Sequence, residues 1–199
     1  LSVPYMVPEH MALKFLEQKI EWIKQHRKEP VFIGDGAHIG KSHRLVIESS
    51  DVNAVKTRLS PNTVTVKIPF NADWKDSEVQ SAVRKAAEKA LKKEAETLLA
   101  QRLNTLSDLH GISYKSCKVK KLKSRWGSCD SRKNIVFNIY LIQLDWKLID
   151  YVILHELTHT VHQHHQPEFW SYLENILPDY KSRRKELKQM PTDILPTSF

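Results

Sequence analysis

Three residues in the C-terminal third of the chain have the types and the spacing of a hydrolytic metal centre. His155 and His159 are four residues apart, and Glu156 follows the first histidine. On a helix, residues at this spacing lie on one face, so the two imidazoles can share one metal ion. The glutamate can then reach a water molecule beside the metal and remove its proton. The pattern therefore predicts metal-assisted hydrolysis with Glu156 as the general base.

The residues around this motif predict that it lies on a buried helix. No glycine or proline interrupts residues 145–162. The helix is predicted to begin near Asp145 or Trp146 and to end by Gln166, because the residue before Pro167 disfavours the helical conformation. A catalytic site has to be built on such a rigid element. The rest of the helix surface, away from the two histidines, is apolar: Leu148, Ile149, Val152, Ile153, Leu154, Leu157 and Val161.

A catalytic zinc ion takes three protein ligands and leaves a fourth position open, so the motif needs a third ligand. On an unbroken helix His162 stands about 10 Å from His155 along the axis, which excludes it. The ligand must therefore lie near or beyond the turn before Pro167. The residues leave four side chains open: His164, His165, Glu168 and Glu174. His165 lies nearer the turn than His164, which favours it.

The first third of the chain predicts one helix and then a set of strands. Hydrophobic residues at helical spacing predict an amphipathic helix over 9–26: Met11, Leu13, Phe15, Leu16, Ile20, Trp22 and Ile23. We assign its aromatic residues, Phe15 and Trp22, to the core rather than to a ligand site. Residues 1–8 are predicted to be extended. Short β-branched segments between turn residues predict an antiparallel meander of three to five strands: 31–33, 37–39, 44–48, 54–58 and 63–68.

The remaining segments predict the elements that carry the motif. Alanine, lysine, glutamate and leucine predict a long helix over 77–106, closed by Gly111. Two strands are predicted over 113–122 and 134–140, ahead of the metal helix. Two further helices are predicted after it, one beginning at Pro167 and a basic one over 179–189.

These elements predict an α+β fold in which a small antiparallel sheet packs on long helices, preceded by a β-meander lobe. We divide the chain into an N-terminal lobe over 1–75 and a catalytic region over 76–199. The two can also form one compact domain.

Several motifs in a fixed order resemble the YgjP-like metal-dependent hydrolases, which are zincins distantly related to SprT-like proteases. They are Arg125-Trp126-Gly127-Ser128-Cys129, Asn138, His155-Glu156-Leu157-Thr158-His159, His165, Phe169-Trp170 and Pro178 to Arg184. The resemblance covers residues 115–187 in detail and implies a zincin-like fold. It also assigns the third ligand to His165, although a histidine at 164 stands where the family usually has asparagine.

The resemblance implies one zinc ion per chain on His155, His159 and His165, with another divalent metal as an alternative. In zincins, an edge strand beside the metal helix holds an extended substrate. Trp126 as a core residue and Gly127 as a bend are the alternative interpretation of that segment. The residues assigned to substrate binding are Arg125, Trp126, Gly127, Ser128, Arg183 and Arg184.

A metallopeptidase is the first functional hypothesis, because this motif with a third histidine most often cleaves amides. The resemblance also implies nucleoside triphosphate pyrophosphatase activity towards UTP as an alternative on the same metal. Cations near the site suit that substrate: Lys120, Lys121, Lys123, Arg125, Arg132, Arg183 and Arg184. A DNA-associated SprT-like protease ranks last, because the basic residues form no patch rich in aromatic residues.

The composition narrows the partners and the compartment. The net charge of +8 favours anionic partners, but glutamates alternate with basic residues over 84–96 as on a solvated helix face. Cys117 and Cys129 lack the spacing of a zinc or redox pair, which indicates reduced thiols in the cytoplasm. No apolar run approaches the ~20 residues of a membrane span. We expect a peptide or nucleoside triphosphate as substrate, and neither nucleic acid nor a membrane as partner. The sequence leaves the oligomeric state open.

Overall fold

The computed structural model of the chain describes residues 8–26 and 31–193, with only the backbone described for 23–26. Contacts divide the chain into two units, residues 1–31 and 32–199. Apart from Pro8, the segment predicted to be extended over 1–8 lies outside the described residues. The predicted boundary near residue 75 falls inside the second unit, and the division into two lobes at that point stays a prediction.

The first unit contains α1, Glu9–His26, which has the predicted bounds. Its aromatic side chains are not buried as predicted: Phe15 and Trp22 keep 59% and 58% of their surface exposed, and the apolar Met11, Leu13 and Ile20 are exposed as well. The assignment of Phe15 and Trp22 to the core is therefore wrong. Periodicity shows which side chains share a helix face, but it does not show whether another element covers that face.

The second unit begins with a four-stranded mixed sheet in the order β1-β2-β4-β3. β2 and β4 are parallel neighbours at its centre, with Leu45 opposite Val64, and β3 pairs antiparallel with β4 at the edge. The predicted antiparallel meander is therefore wrong at its centre. Lys56 and Arg58 make β3 polar and exposed, which suits an edge strand. The strands are β1 (His38–Ile39), β2 (His43–Ser50), β3 (Lys56–Leu59) and β4 (Thr63–Pro69).

A long helix, α2 (Ser77–His110), packs against this sheet and against the elements of the metal centre. It runs four residues past the predicted end at 106, to where Gly111 adopts the left-handed conformation with φ of 65°. Its charged stretch over 84–96 is not wholly solvated as predicted, because Glu94 is buried. The buried side chains of α2 are Val79, Val83, Ala87, Ala90, Leu91, Glu94, Ala95, Leu99, Leu103 and Leu106.

A three-stranded sheet follows, with β5 (Ser116–Lys120), β6 (Gly127–Cys129) and β7 (Asn134–Asn138) in the order β5-β7-β6. β6 was predicted only as part of a connection, and it is antiparallel to β7 at the edge of the sheet. β5 and β7 are parallel, in contrast to the predicted antiparallel sheet. The chain reverses direction between β5 and β6 and again between β6 and β7. β5 and β7 therefore run in the same direction.

The last elements are a 3₁₀ helix over Ile139–Gln143 and three α-helices, α3 (Trp146–His159), α4 (Pro167–Ile176) and α5 (Tyr180–Leu187). α3 ends at His159, earlier than predicted, because the backbone amides of Val161 and His162 both donate to the carbonyl of Thr158 and turn the chain. α4 begins at Pro167 as predicted. The α+β class is confirmed. Within the described part of the chain, none of the helices has the length and apolar character needed to cross a lipid bilayer.

Candidate metal centre

The three predicted metal ligands come from α3 and from the loop that follows it. His155 and His159 lie one turn apart on α3, and His165 lies just before α4. One nitrogen from each ring lies within 4.8 Å of the corresponding nitrogens of the other two rings. The Nε2 atoms of His155 and His165 are 3.1 Å apart. The turn after His159 therefore folds His165 back over α3.

This donor set fits a zinc ion. In a tetrahedral site with Zn–N bonds of about 2.0–2.1 Å, two ligand nitrogens lie about 3.3 Å apart. The 3.1 Å separation between His155 and His165 is close to that value. Imidazole is also one of the donors that zinc prefers. The geometry of the three rings therefore suits a cation bound between them.

A backbone carbonyl orients the second ligand. Nδ1 of His159 lies 3.2 Å from the carbonyl oxygen of His162, which accepts its hydrogen bond and leaves Nε2 free to face a metal. The ring of His162 lies instead beside Tyr172, with centroids 5.3 Å apart. In contrast, Nδ1 of His155 is buried and has no hydrogen-bond partner among the described residues. Sequence reasoning missed the carbonyl of His162, because no side-chain type signals a backbone acceptor.

Trp170 contacts His165, the third predicted ligand, at two points. Its indole N–H donates to the backbone carbonyl of His165 at 3.2 Å, and the two rings stack with centroids 5.2 Å apart and an interplanar angle of 22°. Tyr180 also stacks on Trp170, and the guanidinium of Arg184 lies 4.5 Å from the indole centroid. Phe169, fully buried, contacts the rings of all three histidines. The sequence analysis included these aromatic residues in the family motif but gave them no role.

The environment keeps the three imidazoles neutral. Burial, followed by the neighbouring rings of His159 and His165, lowers the pKa of His155 to about 3. Burial also lowers the pKa of His159 and of His165. The charge of Arg184 adds to the lowering of the pKa at His155 and His165. Neutral imidazole is the form that binds metal, so the centre is prepared for a cation.

Glu156 is buried beside these histidines, with 5% of its surface exposed. Burial raises the pKa of its carboxyl group to about 8, and the positive charge of Arg125 opposes that rise. A Cβ atom on Gly127 would lie 2.8 Å from Oε1 of Glu156 and 2.9 Å from its Cγ. Only glycine permits this approach, so Gly127 lets β6 lie directly against the carboxylate.

A cavity of about 210 Å³ opens beside this carboxylate. β6 pairs with β7 along one edge and is the outer strand of its sheet, so no strand of residues 8–26 or 31–193 pairs with its second edge. Trp126 lines the cavity and is also almost fully buried, which fits both interpretations made from the sequence. The lining residues are Trp126, Gly127, Tyr151, Val152, His155, Glu156 and Leu187.

The other residues assigned to substrate binding are divided between the centre and the scaffold. Ser128 lies on β6 opposite Val136. Arg125 is exposed, and its charge acts on Glu156. The guanidinium of Arg183 forms its hydrogen bonds with residues outside the candidate centre. Its Nε donates to Asp179 at 2.9 Å, and one terminal nitrogen donates to the carbonyl of Lys147 at 2.8 Å.

The alternative third ligands lie outside the cluster of ring nitrogens. His164 and Glu168 are exposed, and Glu174 forms an ion pair with Lys181 at 2.8 Å. One cation proposed for phosphate binding is also engaged, since Lys121 pairs with Glu88 at 2.7 Å.

Asn138 organises the segment that leads into β6. It is fully buried, and its Nδ2 lies 3.0 Å from the carbonyl of Arg125, 3.2 Å from that of Leu122 and 3.1 Å from that of Thr192. Its backbone N–H donates to the carbonyl of Trp126. Asn138 therefore fixes the loop that places Gly127 on Glu156. Its position in the family motif was the one sequence signal for this role.

Comparisons with known proteins give a family for the chain and two solved structures to which part of it is similar. A family model described as "YgjP-like, metallopeptidase domain" matches residues 1–190. Part of the chain is similar to two solved structures. The metallopeptidase zymogen of Pyrococcus abyssi abylysin shares 18% identity over 46% of this chain and 92% of its own, with a TM-score of 0.42. The metallopeptidase zymogen of Methanocaldococcus jannaschii jannalysin shares 22% identity over 46% and 94%, with a TM-score of 0.41. No curated protein matches the sequence.

Proposed function

Because the chain belongs to the YgjP-like metallopeptidase family, we propose that it is a zinc-dependent peptidase in which Glu156 is the general base. One observation carries the proposal: a buried carboxylate adjoins three converging imidazoles and a cavity of about 210 Å³. An acid–base group, a set of metal ligands and space for a substrate therefore meet at one place, which is the arrangement that hydrolysis needs.

His155, His159 and His165 would hold one zinc ion per chain. When bound, the zinc would supply Lewis-acid activation of water and of the scissile carbonyl group. The hydrogen bond from His159 to the carbonyl of His162 and the packing of Trp170 on His165 keep two of the rings in their orientations. The protein thus provides ligands that need little rearrangement to bind the ion.

Glu156 would take the proton from the attacking water and pass it to the leaving nitrogen. Burial raises its pKa to about 8, which strengthens its hold on a proton, while a cation on the neighbouring histidines would lower the pKa again. These opposing effects bring a carboxyl group into the range where it can both accept and donate a proton near neutral pH.

The free edge of β6 favours a peptide as substrate. An extended peptide can add to an exposed strand edge through backbone hydrogen bonds. Gly127 on this strand adjoins Glu156, so a peptide paired with β6 would pass the catalytic carboxylate. Trp126 and Ser128 flank that position, and Arg125 precedes it. A nucleoside triphosphate has no backbone with which to use this edge.

The test is an assay of the zinc-loaded full chain against unfolded casein and, separately, against UTP. We expect peptide products, and we expect Glu156→Gln to reduce their rate by roughly 10²- to 10⁴-fold at equal zinc content. Pyrophosphate or phosphate release from UTP that depends on Glu156, without casein cleavage, would replace the peptidase with the nucleotide hydrolase. If the zinc-loaded chain cleaves neither casein nor UTP, both the peptidase and the nucleotide hydrolase proposals are overturned.

A further inference from the structure

Arg184 on α5 carries a positive charge next to the candidate metal centre, and no acidic group among the described residues pairs with it. Its guanidinium lies over the ring of Trp170, and Trp170 stacks on His165. In the part of the chain that the structure describes, Arg184 has no carboxylate partner. Its charge nevertheless acts on the centre, because it lowers the pKa of His155 and His165.

The neighbouring acidic groups are already engaged with other cations. Glu174 on α4 pairs with Lys181 at 2.8 Å, Asp179 just before α5 pairs with Arg183 at 2.9 Å, and Glu186 on α5 pairs with Lys147 at 2.9 Å. The two adjacent arginines therefore differ in role. Arg183 bonds α5 to the first turn of α3, whereas the side chain of Arg184 packs on an aromatic ring and forms no ion pair with a residue of 8–26 or 31–193.

This kind of anchoring leaves the binding groups of the arginine available. A guanidinium that packs its flat face on an aromatic ring keeps the N–H groups along its edge for other partners. Those N–H groups form a planar fork that matches the two oxygens of a carboxylate. The ring also limits the rotamers of the side chain, so less freedom is lost when an anion binds.

Resting on the proposed peptidase function, we propose that Arg184 binds a carboxylate of the substrate close to the scissile bond. The carboxylate can be an acidic side chain or the C-terminal carboxylate of a peptide. The site would thus prefer anionic peptides over neutral ones. This preference would also give a role to part of the chain's basic excess, which the net charge of +8 alone does not explain.

The experiment begins with zinc-loaded full chain and reduced, unfolded casein, with the cleaved bonds identified by mass spectrometry. Peptides around the most rapidly cleaved bond are then made in pairs. One pair exchanges the nearest acidic residue for its amide, and the other exchanges a free C-terminal carboxylate for a carboxamide. In the pair that carries the recognised carboxylate, we expect the anionic member to have a kcat/KM roughly 10- to 100-fold higher.

Arg184→Gln should abolish this preference, because it should lower kcat/KM for the anionic peptide roughly 10- to 100-fold more than for the neutral peptide, mainly through KM. Lys185→Gln, the same loss of charge at the next position of α5, should keep the preference. Casein cleavage with no preference in either pair would overturn the inference and leave the peptidase standing. Equal losses on both peptides, with weaker zinc binding, would also overturn it and assign Arg184 to positioning His165 through Trp170. A wild-type chain that cleaves no peptide would overturn the inference and the peptidase together.

Discussion

Two buried glutamates, one on α2 and one on α3, have similar surroundings and different bonding. Each faces a glycine where a Cβ atom would collide with the carboxylate, at 2.4 Å for Gly40 against Glu94 and at 2.8 Å for Gly127 against Glu156. Glu94 accepts hydrogen bonds from the backbone amides of residues 41–43 and from the ring of His43. Glu156 instead faces a cavity beside three imidazoles.

The bonding decides what each carboxylate can do. Both ring nitrogens of His43 lie within hydrogen-bond distance of oxygen atoms, Glu94 on one side and the carbonyl of Ser60 on the other, so the ring is held at both ends. A buried pair bonded in this way joins α2 to the first sheet. Because its oxygen atoms are already hydrogen-bonded, this carboxylate has a structural role. A buried carboxylate beside open space is the kind of group found in active sites.

Replacing each carboxylate by its amide should separate the two roles. Glu94→Gln sets an NH₂ group against backbone donors and disturbs the hydrogen bond to the ring of His43, so we expect a loss of about 3 kcal/mol in the free energy of unfolding. Glu156→Gln removes a buried group without such bonds, so we expect no loss. Denaturation of both zinc-free variants in urea measures the difference. Equal destabilisation would contradict the distinction between the two glutamates.

The two glycines offer a second test, with one effect on turnover and one on stability. Gly127→Ala should displace the carboxylate of Glu156 and reduce casein cleavage by about 100-fold, with the fold and zinc content kept. Gly40→Ala should act on the fold instead, at a cost of about 2 kcal/mol, since Gly40 has φ of 69° and contacts Glu94. If Gly127→Ala chiefly lowered the unfolding free energy, β6 would be a structural support only.

The smallest expected effect concerns the way the histidine rings are held. His43 is held through both ring nitrogens, whereas His165 is held through its carbonyl and by stacking on Trp170. Trp170→Leu should therefore weaken zinc binding by roughly 10-fold, measured by competition with a chelator. Trp170→Phe, which keeps a ring but loses the N–H, should weaken it less. Trp74→Leu, a tryptophan of the first sheet region, is the control and should leave zinc affinity unchanged.

Two features of the candidate centre follow from short stretches of sequence. The spacing of His155 and His159 requires only helical geometry, and Pro167 marks the start of α4 because proline suits the first turn of a helix. The resemblance added His165 and the segment from Arg125 to Ser128. These predictions rest on short stretches of chain, for which local pattern is sufficient.

Features that depend on distant pairing could not be predicted in the same way. Local alternation marks strands, but it does not state that β2 lies beside β4 or that β5 lies beside β7. The burial of Glu94 was hidden among solvated charges on α2, and its partners lie more than fifty residues away. The carbonyl contacts of His162 and Asn138 have no signature in residue type.

The central claim is that His155, His159 and His165 bind one zinc ion. Zinc binding by variants at two neighbouring positions, 164 and 165, tests it most directly. The zinc-free full chain, His165→Ala and His164→Ala are each titrated with zinc against a chelator of known affinity, and the bound metal is counted. The three-histidine centre predicts one tightly bound zinc ion in the wild type and in His164→Ala, and a large loss of affinity in His165→Ala. Loss of zinc in His164→Ala, with His165→Ala unaffected, would contradict the proposed centre.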